Sequence, residues 1–169
     1  MKIKLLVMDV DGTLTDGKIY MGENGEVMKA FNVKDGYAIA HMLPEMGIIP
    51  VIITGRKSKI VENRAKELGI TELYQGVGDK LAQLKIVAEK YNASPEEIAY
   101  IGDDLNDLDC IEFCGVTACP ADAVEEVKRK VSYVCQNNGG EGAVREYVLN
   151  KLLIMKTTFP HKNTEKIQQ

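Results

Sequence analysis

The sequence predicts an α/β fold, a parallel sheet with helices on both of its faces, and three observations carry that expectation. Short apolar runs near residues 3–8, 48–53, 72–74, 98–101 and 115–118 have the length of strands. They alternate with amphipathic stretches near 36–46, 57–68, 79–91, 105–113, 122–130 and 142–153, which have the pattern of helices. Such strict alternation implies parallel pairing with helices covering both faces. Third, several runs end in polar groups beside glycine: Asp9-Val10-Asp11-Gly12-Thr13, Thr54-Gly55-Arg56 and Gly102-Asp103-Asp104. Open α/β sheets bind their ligands at that carboxyl edge.

The first run, Ile3-Lys4-Leu5-Leu6-Val7-Met8, reads as a buried strand that delivers Asp9 and Asp11 to the sheet edge, where Gly12 lets the chain turn away. Two carboxylates two residues apart share a face of a strand, a costly like-charge arrangement without a cation. Magnesium would relieve it, because it takes hard oxygen ligands and bridges carboxylate to phosphate. Taken alone, the same five residues also fit a surface turn.

Residues 18–31 break the pattern. Asn24-Gly25, flanked by Ile19, Met21, Val27, Met28 and Phe31, reads as a type I′ hairpin. A lone two-stranded hairpin is marginal in water, so its apolar residues need cover. The helical pattern at 36–46 contains Pro44, which is expected to end or kink it. The run at 48–53 leads into Thr54, Gly55 and Arg56, a hydroxyl and backbone N–H groups at a helix start, suited to a phosphate-sized anion. Gly78-Asp79-Lys80 opens the next helix with an ammonium. Ser94-Pro95-Glu96-Glu97 reads as a capped single turn before the strand at 98–101. That strand runs into Asp103 and Asp104, with Asp107 behind them. Residues 156–169 are polar and are expected to form a disordered tail after a single domain spanning 1–155.

In this order the motifs resemble those of the haloacid dehalogenase-like phosphohydrolases: Asp9 and Asp11, then Thr54, then Lys80, then Gly102-Asp103-Asp104 with Asp107. Thr15-Asp16-Gly17, Phe31-Asn32-Val33-Lys34-Asp35-Gly36, Tyr74-Gln75-Gly76 and the Gly139–Gly142 segment with Ala143-Val144-Arg145-Glu146 are similar to the branch acting on 3-deoxy-D-manno-octulosonate 8-phosphate. Thr13 stands where that branch often carries an aliphatic residue.

The resemblance implies a Rossmann-like doubly wound sheet with a small hairpin insertion at 18–31 and no large cap domain. It implies hydrolysis of a sugar acid phosphate through an aspartyl phosphate, in the route to the lipopolysaccharide sugar. Asp9 would be the nucleophile and Asp11 the general acid and base. Mg2+ would be held by Asp9, the Asp11 carbonyl and Asp103, with Asp104 and Asp107 supporting from outside. Thr54, Gly55 and Lys80 would hold the phosphoryl group. Arg56 and Arg64 are candidates for the substrate carboxylate, Arg64 across a subunit boundary. The hairpins of a homotetramer would meet, with neighbours closing each other's sites. Gly139–Gly142 and Arg145 read either as an approach to a neighbour's site or as an ordinary loop and helix start. Two alternatives stay open: a phosphatase for a nine-carbon keto sugar acid phosphate, and a non-catalytic assembly module of the cytidylyltransferase-linked kind.

Composition narrows the field. The 169 residues, 45% hydrophobic and 27% charged, suit one soluble globular domain. A net charge of −4 without Lys/Arg runs argues against a nucleic-acid partner. The apolar runs are too short to span a membrane, and the start lacks a signal-peptide pattern. Cys110, Cys114, Cys119 and Cys135 lack paired CxxC spacing, so they read as reduced core thiols rather than zinc ligands. A cytoplasmic location is the expectation that follows.

Overall fold

The computed structural model describes residues 2–155; the expected tail at 156–169 lies outside the described residues. Six strands form one parallel sheet: β1 (Leu5–Met8), β4 (Ile49–Thr54), β5 (Glu72–Gln75), β6 (Ile98–Ile101), β7 (Val116–Cys119) and β8 (Tyr133–Val134). Their order is β5-β4-β1-β6-β7-β8, every neighbour parallel. From β1 the chain winds outward one way through β4 and β5, then returns to β6 and winds the other way. The loops after β1 and β6 therefore part, and the crevice between them is the switch point at which such sheets hold ligands.

Strand alternation sends side chains to two cores. Leu6, Met8, Ile52 and Ile101 pack beneath helices α1 (33–46), α2 (Lys59–Glu67) and α6 (143–155), against Ile39, Leu43, Val61 and Tyr147. Leu5, Val7, Ile53 and Tyr100 face α3 (Lys80–Lys90), α4 (Leu108–Phe113) and α5 (Glu125–Lys128), against Leu84, Val87, Ile111 and Val127. These side chains are nearly or fully enclosed, each contributing about 1.5–3 kcal/mol of transfer free energy. The four cysteines are free and buried. Among the described residues no helix is long and apolar enough to cross a membrane.

Pro44 does not end α1. The helix starts at Val33, where the Asn32 side chain accepts from Lys34 N–H, and widens into a π-helical stretch over Ala38–Met42. It then finishes as an α-helical turn through Met46, closed by Gly47 at φ +71°. Proline has no N–H and its ring presses on the carbonyl four residues earlier; a wider turn just upstream accommodates both. The turn at Pro95–Glu97 forms as expected, with Ser94 and Glu97 capping reciprocally.

The hairpin pairs β2 (Tyr20–Gly22) with β3 (Gly25–Met28) as a separate two-stranded sheet. Its turn is not type I′, which needs positive φ at both loop residues. Here the loop is Glu23-Asn24, and positive φ occurs only at the following Gly25, +107°; among the described non-glycine residues Asn92 alone has it. The register slips beside Tyr20 and Met21, so Val27 is an extra residue on β3. Met21, Val27 and Met28 are exposed.

Candidate active site

Asp9 leaves β1 at its carboxyl end, anchored by its N–H to the Ile101 carbonyl of β6 (3.1 Å). Its carboxylate is buried and meets Lys80 Nζ at 3.0 Å. Lys80 is the first residue of α3, whose cap is the Asp79 side chain accepting from Ala82 N–H. Side chains at a helix start lean toward the N-terminus, which turns this ammonium into the crevice. Lys80 also donates to Asp107 Oδ1 at 2.8 Å. Burial works against the ammonium, but Asp9 and Asp107 outweigh it and raise its pKa.

Asp107 is wholly enclosed and fully engaged. Oδ1 accepts from Lys80 and from Tyr100 Oη at 2.7 Å; Oδ2 accepts from the N–H groups of Asp103 (3.0 Å) and Asp104 (3.2 Å). A side chain at position 102 would strike it, the added Cβ falling 2.4 Å from its Cγ, which is why the loop passes as Gly102. Asp103 is clamped from the other side by Thr13 Oγ1, donating to Oδ1 at 2.8 Å. Gly12, at φ +97°, comes so close that a Cβ there would lie 2.0 Å from Asp103 Oδ2.

Carboxylate oxygens of Asp9, Asp103 and Asp107 lie within 4.8 Å of one another. Burial, with Asp107 adding repulsion, pushes Asp9 up to about 6. Burial and the same neighbours push Asp103 up to about 7, against the Thr13 hydrogen bond. Hard oxygen donors held together at such a cost fit a divalent cation. Because all of Asp107's bonds go to protein donors, the ligands would be Asp9 and Asp103, with Asp107 supporting the loop behind them.

An open cavity of about 180 Å³ lies over this cluster, lined by Asp9, Asp11, Thr54, Gly55, Arg56, Asp104 and Asn106. Thr54 is the buried last residue of β4. The expectation of a phosphate cradle at a helix start needs correction: α2 begins only at Lys59, capped by Ser58. Thr54 and Gly55 therefore belong to the strand-end loop. Arg56, half exposed, has Nε 3.8 Å from Asp11 Oδ2.

Arg64 does not join this cavity. It pairs with Glu67 at 2.9 Å and lies over the Phe31 ring at 5.7 Å, and a Cβ on Gly36 would meet its Nη2 at 2.4 Å. It borders a surface groove with Val33, Ile60 and Asn63 instead. The glycine-rich loop packs against the first motif of its own chain. A Cβ on Gly139 would fall 1.8 Å from the Gly12 carbonyl oxygen, and Gly140 N–H donates to the Thr13 carbonyl at 3.1 Å. It buttresses the loop that carries Asp11. Arg145 N–H donates to Asp35 Oδ1 at 2.8 Å, so Asp35 caps a helix whose own cap residue, Gly142, has no side chain.

Three contributors escaped the sequence reading: Thr13, Tyr100 and Lys29. Lys29, fully enclosed, pairs with Asp11 Oδ1 and with Glu26 Oε1 at 2.8 Å. Only Thr13 carried a signal, being part of the first motif.

The doubly wound sheet and this ordered set of carboxylates, hydroxyl and lysine define a class. A family model described as haloacid dehalogenase-like hydrolase matches residues 70–147, and the chain belongs to that family. The 3-deoxy-D-manno-octulosonate 8-phosphate phosphatase KdsC of Escherichia coli (strain K12) is 51% identical over 144 residues, 85% of this chain and 76% of that protein. The phosphatase of that name from Moraxella catarrhalis, solved with a magnesium ion, a phosphate ion and a KDO molecule, superposes with a TM-score of 0.83 at 40% identity, covering 94% of each chain. The cobalt-bound deoxy-D-mannose-octulosonate 8-phosphate phosphatase of Haemophilus influenzae gives 0.84 at 36%, covering 93% of this chain and 95% of that one. Within the family, the chain falls in the 3-deoxy-D-manno-octulosonate 8-phosphate phosphatase branch.

Proposed function

We propose that this chain is a magnesium-dependent phosphatase that releases phosphate from 3-deoxy-D-manno-octulosonate 8-phosphate through an aspartyl phosphate on Asp9. The observation that carries the proposal is the buried Asp9 carboxylate beside Lys80, two residues from Asp11, at the floor of an open cavity. The Asp9 carboxylate attacks phosphorus in line, forming an O–P bond as the bond to the sugar oxygen breaks. Asp11 gives its proton to that leaving oxygen. It then takes one from the water that attacks phosphorus, freeing Asp9 and inorganic phosphate. Thr54 Oγ1, Gly55 N–H and Lys80 Nζ hold the phosphoryl oxygens as charge gathers on them. Asp9, Asp103 and the Asp11 carbonyl hold the magnesium ion, which supplies charge neutralisation at the phosphoryl group. Arg56, at the cavity mouth, receives the sugar acid carboxylate as a bidentate partner.

In this proposal residues 1–155 act as one phosphatase domain, and the hairpin at 18–31 is its arm for assembling a homotetramer. The exposed Met21, Val27 and Met28 support that role, as does the opening of the cavity to solvent. Arg64, on the outer groove, would then face a neighbour rather than its own site. The enzyme would work in the cytoplasm, in the supply of the lipopolysaccharide sugar.

The test is kcat/KM over a panel of eight- and nine-carbon keto sugar acid phosphates, with magnesium and after exhaustive chelation. The expected result is preference for the eight-carbon ester and loss of turnover on chelation. Preference for a nine-carbon ester would overturn the substrate. Undiminished turnover without divalent ions would overturn the metal. Inactivity on the whole panel would leave an assembly module.

A further inference from the structure

The reaction above leaves one buried charge beside the cavity unused. Lys29, the residue after β3, has a side chain with no exposure. An ammonium enclosed in this way is costly unless paired. Its partners are Asp11 Oδ1 and Glu26 Oε1, the latter at 2.8 Å. Glu26 Oε2 in turn accepts from the hydroxyl of Ser58, the cap of α2. A continuous chain of polar contacts thus runs from the hairpin to Asp11 and to the helix that follows β4. The other oxygen of Asp11, Oδ2, lies 3.8 Å from Arg56 Nε, and both residues line the cavity.

We propose that Lys29 is a positioning residue for the phosphatase reaction, holding Oδ1 of Asp11 so that Oδ2 is presented to the leaving oxygen. The proposal rests on the assignment of Asp11 as general acid. A carboxylate joined to the chain by one methylene turns freely about two bonds. Anchoring one oxygen leaves the other in a single place, and proton transfer needs hydrogen-bond reach of the departing atom. The hairpin then does more than project outward: its last contact is with a catalytic carboxylate.

The test varies the leaving group. An acid matters most when an alkoxide departs and least when p-nitrophenolate does. For Lys29→Met, kcat/KM on an alkyl phosphate should fall roughly 10- to 100-fold, part of the ~10²–10⁴-fold that a positioned acid contributes. On p-nitrophenyl phosphate it should change little, so rate should depend more steeply on leaving-group pKa across a series of aryl esters. Lys29→Arg, which keeps the pairing, should restore most of the alkyl activity. Lys29→Gln serves if the Met variant does not fold. An equal loss on every ester, in folded protein, would make Lys29 structural and overturn the proposal. Asp11→Asn is measured alongside. If it steepens the dependence and the Lys29 variants do not, Lys29 falls while the acid assignment stands; if Asp11→Asn gives no steepening, both fall.

Discussion

Replacing Asp107 by asparagine tests how the site is held together. The carboxylate accepts four hydrogen bonds in two pairs, Lys80 and Tyr100 on one oxygen and the Asp103 and Asp104 amides on the other. An asparagine keeps one acceptor oxygen. In either orientation its NH2 group faces a pair of donors, and the buried Lys80 loses a negative neighbour. Two lost bonds, each worth about 0.5–1.5 kcal/mol when neutral and ~1.5–3 kcal/mol when charged, suggest a loss of roughly 2–5 kcal/mol. Breaking a buried ion pair from one side costs about 3–5 kcal/mol, and Lys80 keeps Asp9 at 3.0 Å, which moderates the loss. Urea unfolding followed by circular dichroism should show a lower midpoint at unchanged slope. Because Asp107 fixes the Asp103 loop, the magnesium concentration for half-activation should rise by about 10–100-fold. A variant within about 1 kcal/mol of the wild type, activated by the same magnesium concentration, would refute the assignment of Asp107 as the site's organising acceptor.

Glu72, buried on the edge strand β5, should make stability fall in acid. Burial raises its pKa, but hydrogen bonds from Lys90, Tyr74 and Tyr91 more than offset this and bring it from 4.5 to about 2. A depressed carboxylate stabilises above its unfolded pKa, so the contribution is present above 4.5 and is lost as pH drops through about 2. Lys90 is half exposed and screened by solvent, leaving roughly 1–3 kcal/mol; the stability gap between wild type and Glu72→Gln should close across that window, and a pH-independent gap would contradict this. Arg56→Ala should lower kcat/KM on sugar acid phosphates more than on p-nitrophenyl phosphate, by the roughly 1.5–3 kcal/mol of a charge-assisted contact; equal losses would move Arg56 to the phosphate. Val27→Asp should split the proposed tetramer, measured by light scattering, because an unpaired charge is costly in an apolar contact; a wild-type chain that is monomeric at micromolar concentration would refute the assembly.

Strands β1, β4 and β6 were legible because each is an apolar run closed by a polar or glycine residue, as at Met8-Asp9, Thr54-Gly55 and Ile101-Gly102. β8 was not: two paired residues are too few for a period to register. Asn24-Gly25 marked the hairpin's position but not its turn type, since only Gly25 takes up positive φ. Pro44 lies two residues before the end of α1, and the irregularity at this end of the helix is a π stretch just upstream, which a local rule about proline does not foresee. Asp9, Asp103 and Lys80 could be picked out because Asp9 directly follows β1, Asp103 follows β6 after a single glycine, and Lys80 opens a helix. Lys29 and Tyr100 could not, because their roles depend on contacts across the fold: Lys29 meets Asp11 eighteen residues away, and Tyr100 meets Asp107 over the sheet edge. The glycines at 139 and 140 were visible as a motif, but their purpose, a close approach to residues 12–16, is tertiary.

The central claim is that phosphate passes through Asp9. Acid quenching during turnover of the sugar acid phosphate, followed by borohydride reduction, converts a phosphorylated aspartate to homoserine, which peptide mass spectrometry locates. Homoserine at position 9, dependent on substrate and absent from Asp9→Asn, is the expected result. Homoserine at position 11, or none at any position while phosphate is released at the full rate, would contradict the account.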